Sequence, residues 1–315
     1  MKNLYNERIL QMNPKIEKLI NNIENVILGK RAVIEKVVCA MLCGGHVLIE
    51  DVPGVGKTLL AQTLAKSVSG TFGRIQFTPD LMPSDVVGYT VIDQKTGVEE
   101  YRAGAVMCNF LLADEINRTS PKVQSALLEA MEELQISVDG KTHALPEPFM
   151  TLATQNPIET YGTYHLPEAQ LDRFLMRLSL GYPDRTAELA MLDKMPHSID
   201  VSPVMTLEEI TQLRGMISKI TVSEQVKAYI LMIVSATRNK QEIKLGASPR
   251  ASIALYKAVQ ALAFMNNRSF ATPDDVKYLA SAVLSHRIIL AAGQSAYLNS
   301  EQIIEKILVE TPVPV

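Results

Sequence analysis

Val47-Leu48-Ile49-Glu50-Asp51-Val52-Pro53-Gly54-Val55-Gly56-Lys57-Thr58-Leu59 is the stretch that decides the fold. A short apolar run reads as a buried strand, a glycine loop follows, and a helix is expected from Leu59 to Val68. A helix opening with Gly-Lys-Thr directly after a glycine loop forms a phosphate cradle. Bare backbone N–H groups and the positive helix end both face the anion. Pro53, Gly54, Val55, Gly56, Lys57, Thr58 and Leu59 are the expected cradle residues, with Lys57 reaching the β- and γ-phosphates and Thr58 binding Mg²⁺. The strict pattern has glycine at position 51, where this chain has Asp51. Gly54 and Gly56 stand where the backbone must approach phosphate, so the departure bears on local charge and affinity rather than on the fold.

Working outward, Phe110-Leu111-Leu112-Ala113-Asp114-Glu115 reads as a second buried strand, ending in two acids. Strand alternation is expected to point the two acids to opposite sides, with Asp114 the Mg²⁺ partner and Glu115 the base for attack of water on a γ-phosphate. Adjacent acids at a strand end are commonplace on surfaces; Lys57-Thr58 upstream gives them meaning. A third strand, Phe149 to Ala153, leads to Thr154-Gln155-Asn156, where the amide of Asn156 is placed to orient water and sense phosphate. Strands alternating with helices predict an α/β parallel sheet covered on both faces. Ser120 is the expected N-cap, and Pro121 the first residue, of a helix carrying Val123, Leu127, Met131 and Leu134 on one stripe. Ile136 and Val138, followed by Asp139-Gly140, predict a hairpin with a primed turn.

Beyond Tyr182-Pro183-Asp184 the strand signals fade, which divides the chain into residues 1–183 and an all-helical domain, 184–315. Thr221 and Glu224 read as a capping box, and Thr272-Pro273-Asp274-Asp275 as another helix start. Ser248-Pro249 puts Arg250 in the first turn of a helix, where a cation opposes the macrodipole; it serves an external anion or is simply exposed. Residues Thr311 to Val315 read as a frayed tail. Pro79 to Gly88, with Leu81, Met82, Val86 and Val87, reads as a packed loop or as a partner-facing one.

The 315 residues are 47% hydrophobic and 21% charged, with a net charge of −3, which excludes wholesale disorder and fibrous structure. No apolar run reaches membrane-spanning length and Met1 to Ile20 lacks a signal-peptide core, so no membrane insertion and a cytoplasmic location are expected. The lack of a Lys/Arg block argues against nucleic-acid binding. Cys39, Cys43 and Cys108 have no metal spacing and read as small buried hydrophobes, and the histidines at 46, 143, 165, 197 and 286 read as structural or exposed residues.

Residues 45–58, 113–118 (Ala-Asp-Glu-Ile-Asn-Arg), 124–131 (Gln-Ser-Ala-Leu-Leu-Glu-Ala-Met), 153–157 (Ala-Thr-Gln-Asn-Pro) and 166–174 (Leu-Pro-Glu-Ala-Gln-Leu-Asp-Arg-Phe) together resemble the AAA+ ATPases, and among them the MoxR family. The resemblance implies a three-layer αβα P-loop NTPase core with a C-terminal helical lid, ATP and Mg²⁺ as ligands, and a homo-hexameric ring. It implies Asn156 as first sensor, Arg173 as arginine finger and Arg250 as second sensor. For Arg173 the residue chemistry alone allows a surface salt bridge equally. Gly29-Lys30 matches the adenine-lining position of the family, or is a helix-linking turn. Also implied are a helix-2 insert at 76–105, a hairpin at 135–143, and chaperone-like action on protein partners bearing von Willebrand factor A domains. The alternative functions are a magnesium-chelatase-like motor subunit, a nucleic-acid motor, and a nucleotide-gated module with little turnover; the Asp114-Glu115 pair argues against the last.

Overall fold

The computed structural model describes residues 12–95, 97–157, 163–193, 201–291, 293 and 299–314. The chain begins with α1 (Pro14–Glu24), α2 (Arg31–Leu42), β1 (His46–Glu50), α3 (Lys57–Ser67) and β2 (Phe72–Gln76). It continues through α4 (Pro83–Val87), β3 (Gly88–Ile92), β4 (Glu99–Ala103), β5 (Phe110–Asp114), α5 (Pro121–Glu133), β6 (Gln135–Val138), β7 (Lys141–Ala144) and β8 (Met150–Gln155). Next come α6 (Glu168–Leu171), β9 (Phe174–Leu178), α7 (Arg185–Asp193), α8 (Leu207–Ile217) and α9 (Glu224–Asn239). Last are β10 (Ile243–Leu245), α10 (Pro249–Met265), α11 (Pro273–Leu284), β11 (Ile289–Leu290) and α12 (Ser300–Glu310).

Five strands form one parallel sheet in the order β2-β5-β8-β1-β9. Side chains alternate across it, and this builds two hydrophobic clusters. Val47, Ile49, Phe110 and Leu112 face one side, with Ile34 and Val38 of α2 and Leu60 and Leu64 of α3. Leu48, Leu111 and Ala113 face the other, with Val123, Leu127 and Met131 of α5. Strands buried on both faces must be apolar at every position, so β1 and β5 read as continuous runs. Each fully buried Leu, Val or Ile contributes about 1.5–3 kcal/mol, so the two clusters supply the main driving force for the three layers. Helices α8 to α12 pack onto the first cluster as a helical lid, through Ile210, Tyr229, Leu255, Val276 and Ile304 among others. The expected α/β core and lid are thus present. One addition to the all-helical expectation is the antiparallel ribbon of β10 and β11.

Local signals fared differently. The hairpin of β6 and β7 turns at Asp139 (φ 49°) and Gly140 (φ 77°), as the primed turn requires. Thr272 caps α11 in a capping box with Asp275. Thr221, however, does not cap α9: Ser223 does, its hydroxyl accepting from the Val226 N–H at 3.3 Å. Thr221 instead pairs its backbone with Ser269 and Ala271, because a β-bridge was available to it. Leu134 leaves the α5 stripe by ending that helix in the left-handed conformation, largely exposed.

The insert is more compact than a partner-facing loop. Val86 is fully buried and Leu81 and Val87 are half-buried against the second cluster, while Met82 alone of the four points outward, 62% exposed. Gly88 has φ 91°, and a Cβ there would meet the Arg102 carbonyl at 2.3 Å, so the chain can enter β3 only through glycine. The β3–β4 hairpin lies beside the β6–β7 hairpin, with Tyr101 stacked on His143 (centroids 4.0 Å apart) and Lys141 paired with Glu99 at 2.7 Å. Leu81→Ser is therefore expected to lower the melting temperature by several degrees and Met82→Ser to leave it within about one degree, as thermal unfolding would read directly.

Among the described histidines, His46 and His286 are buried. Burial pushes the His46 imidazole down to about 4. Its Nδ1 accepts from the Thr151 N–H at 3.0 Å, so Nε2–H donates to the Met131 carbonyl at 3.0 Å, tying β8 to α5. His197 lies outside the described residues. Cys39 and Cys108 are buried and Cys43 is half-buried, all three as free thiols. No helix among the described residues is long and apolar enough to cross a membrane.

Candidate active site

The glycine loop runs from the end of β1 into α3, which starts at Lys57, two residues earlier than expected. Gly54 (φ 87°) and Gly56 (φ 95°) both adopt left-handed conformations, and a Cβ built on either meets no atom within 4 Å. Backbone conformation, and open space over the loop, account for these glycines rather than internal packing. Gly56 is the N-cap residue of α3 and, having no side chain, leaves the first-turn N–H groups without a side-chain cap. Lys57 Nζ donates to the Asp51 carbonyl at 3.0 Å.

Asp51 explains its own departure from glycine. Its buried carboxylate accepts from Ser179 Oγ (3.0 Å), from the Leu180 N–H and from the Gly181 N–H (3.2 Å), which joins the loop to the chain leaving β9. A glycine would leave buried donors without an acceptor, at a cost of about 1–3 kcal/mol. Asp51→Ala is expected to lower the melting temperature by several degrees, and an unchanged value would show that the tie is dispensable.

At the end of β5 a single hydroxyl organises both acids. Thr154 Oγ1, fully buried at the end of β8, donates to Asp114 Oδ1 (2.7 Å) and accepts from the Glu115 N–H (2.8 Å). Asp114 Oδ2 also accepts from Arg74 of β2 at 2.8 Å. Glu115 does not continue the strand: its backbone is left-handed (φ 57°, ψ 51°), so this kink, and not strand alternation, sets the two carboxylates apart. Its Oε2 accepts from Gln76 Nε2 at 2.6 Å and pairs with Arg118 at 3.1 Å. Asn156 lies buried just beyond β8, two residues from Thr154. Arg74, Gln76 and Thr154 have no functional role in the sequence reading, where Gln76 opens the insert; it is instead the last residue of β2. The signal for Thr154 was its place in the Ala-Thr-Gln-Asn motif, whereas Arg74 and Gln76 sit on a strand that reading did not contain.

Gly29 and Lys30 form the helix-linking turn, one of their two expected roles. They link α1 to α2 in a left-handed turn (φ 69° at Gly29). They also abut the segment that leads to α7, where Lys30 Nζ donates to the Tyr182 carbonyl at 2.7 Å and a Cβ on Gly29 would meet Ala187 at 3.3 Å. Arg173 and Arg250 form a separate group. Both pair with Glu132 of α5, at 2.9 Å and 3.5 Å, and not with the loop cluster. Ser248 is the N-cap residue of α10, but its hydroxyl donates to Asp172 Oδ2 at 3.1 Å.

A parallel αβα sheet with a glycine loop after β1, an acidic end on β5 and a helical lid defines a P-loop nucleoside triphosphatase. Residues 46–176 match the ATPase family associated with various cellular activities (AAA), and residues 235–307 match the AAA lid domain. The chain is 39% identical over 95% of its length to Chaperone MoxR1 of Mycobacterium tuberculosis, covering 82% of that protein. It is 47% identical to Bacillus subtilis YeaC, over 96% of each chain. A crystal structure from Cytophaga hutchinsonii superposes with a TM-score of 0.89 at 40% identity, covering 99% of each chain. The protein belongs to the MoxR family of AAA+ ATPases.

Proposed function

We propose that the chain hydrolyses ATP with Mg²⁺ in a homo-hexameric ring and uses the cycle to remodel or activate protein partners in the cytoplasm. The observation that carries this reading is convergence at one edge of the sheet. The Lys57-Thr58 loop, Asp114-Glu115 and Asn156 follow the carboxyl ends of the adjacent strands β1, β5 and β8, where ligands bind in open α/β sheets. The donor set fits the ligands. Open space over Gly54 and Gly56 lets an anion approach the loop backbone. Thr58 and Asp114 offer the hard oxygens that Mg²⁺ takes together with phosphate oxygens and water. No cluster of three His, Cys, Asp or Glu that could hold a metal occurs among the described residues, so protein side chains alone would not cage the ion.

Within that frame, Lys57 supplies charge to the β- and γ-phosphates, Glu115 accepts a proton from the attacking water, and Asn156 orients that water. Bound Mg²⁺ would neutralise charge developing on the phosphate oxygens. Gln76 and Arg118 both hold Glu115 through Oε2, which fixes the carboxylate in place for that role. Gly29 and Lys30 line the adenine, Arg250 serves the nucleotide of its own subunit and Arg173 that of its neighbour. The boundary between the nucleotide-binding portion, 1–183, and the lid, 184–315, falls at Tyr182-Pro183-Asp184. A partner with a von Willebrand factor A domain follows from family membership, and the name of Chaperone MoxR1 supports protein clients.

Light scattering tests the assembly. With ATP and Mg²⁺, Glu115→Gln is expected to reach a mass six times the chain's 34.7 kDa. A monomer under all nucleotide conditions, in a wild type that hydrolyses ATP at full rate, would overturn the ring.

A further inference from the structure

We propose that Glu132 is a positioning residue that parks Arg173 and Arg250 together and competes with nucleotide phosphate for Arg250. The proposal rests on the function proposed above. Glu132 lies in the last turn of α5, and each of its carboxylate oxygens takes one guanidinium: Oε2 holds Arg173 at 2.9 Å and Oε1 holds Arg250 at 3.5 Å. The two arginines are 77 residues apart in sequence and come from opposite sides of the core–lid seam, Arg173 before β9 and Arg250 in the first turn of α10.

The segments that carry them are joined without help from Glu132. Asp172 accepts from Ser248 Oγ at 3.1 Å and from Arg287 Nε at 2.6 Å. Arg287, almost fully buried, also donates to the carbonyls of Phe174 (2.8 Å) and Leu175 (3.0 Å). This buried clamp fixes the relation between the Arg173 turn and the start of α10. Glu132 itself is exposed, and ion pairs of that kind add little to stability. What it changes is charge: two guanidiniums held close by the clamp repel one another, and one shared carboxylate offsets that repulsion.

Parking has a cost for binding. Arg250 must leave Glu132 before it can reach a triphosphate, so the apparent affinity is reduced by the strength of the parked pair. An exposed pair contributes at most a fewfold effect, and salt screens it.

The test is a titration of labelled ATP into the full-length chain. Glu132→Gln is expected to bind ATP about two- to fivefold tighter than wild type at low salt. The gain should shrink at about 0.5 M salt. In turnover, the same variant should lower KM by a similar factor without lowering kcat. The gain in binding should vanish when Glu132→Gln is made in an Arg250→Ala chain, because the competition acts through that arginine. Glu133→Gln, the same charge change one residue on, should give a smaller gain. The melting temperature should stay within a degree or two. Unchanged or weaker ATP binding by Glu132→Gln, a gain that survives in the Arg250→Ala background, an equal gain from Glu133→Gln, or a large loss of thermal stability would each overturn the proposal. A wild type that binds no ATP would instead overturn the function on which it rests, and the proposal with it.

Discussion

Arg173→Ala is expected to lower ATP turnover by about 10³- to 10⁵-fold while leaving ATP binding nearly intact, the usual measure of an arginine finger. The loop of its own subunit already has Lys57, and Arg173 rests on Glu132 at the edge of the lid. In the proposed ring, a cation placed there would serve a neighbour's phosphate and make hydrolysis depend on assembly. The sharper experiment mixes Arg173→Ala with Lys57→Ala subunits. An Arg173→Ala subunit retains its loop and borrows Arg173 from a Lys57→Ala neighbour, so partial ATPase should reappear in mixed rings. If mixed rings are shown to form and no activity returns at any ratio, action in trans loses its support. Near-normal turnover by Arg173→Ala alone would end its catalytic role.

Glu115→Gln is expected to bind ATP as wild type does and to lose about 10²- to 10⁴-fold in turnover, the range for removal of a general base. The distinction is between contacts made to phosphate in the ground state and a contact needed only to activate water. Geometry supports a near-silent binding effect. The Glu115 backbone N–H, and not its side chain, is what Thr154 holds, so the amide leaves the Asp114 arrangement intact. Labelled-ATP titration and phosphate release, measured on one preparation, separate the two quantities. Normal turnover would remove Glu115 from the proposed role.

The central strands were legible because burial on both faces demands unbroken apolar runs, as in Val47-Leu48-Ile49 and Phe110 to Ala113. The sheet edges were not. β2 reads Phe-Gly-Arg-Ile-Gln, mostly partly exposed, with a glycine and a charge inside it, and β9 carries Arg177 within only five residues. Missing β2 also hid Arg74 and Gln76, which reach Asp114 and Glu115 from it. Thr154 escaped notice as an organiser because its two hydrogen bonds cross about 40 residues of sequence and leave no local pattern. The same holds for Asp51, whose partners at 179–181 follow the neighbouring strand β9, 128 or more residues away in sequence. The cradle glycines, by contrast, were readable from their spacing, since positive φ at Gly54 and Gly56 is a local demand. Thr221 shows the reverse error: a locally valid capping signal lost to a tertiary β-bridge and to Ser223 two residues on.

Release of phosphate from ATP by the purified wild type and by Lys57→Ala, with and without Mg²⁺, tests the central claim most directly. The wild type is expected to release phosphate only with Mg²⁺ present, and Lys57→Ala to bind no labelled ATP and release no phosphate above the protein-free blank. Equal phosphate release by the two proteins, or none from an assembled wild type supplied with Mg²⁺ and ATP, would contradict the assignment of this loop as the site of hydrolysis.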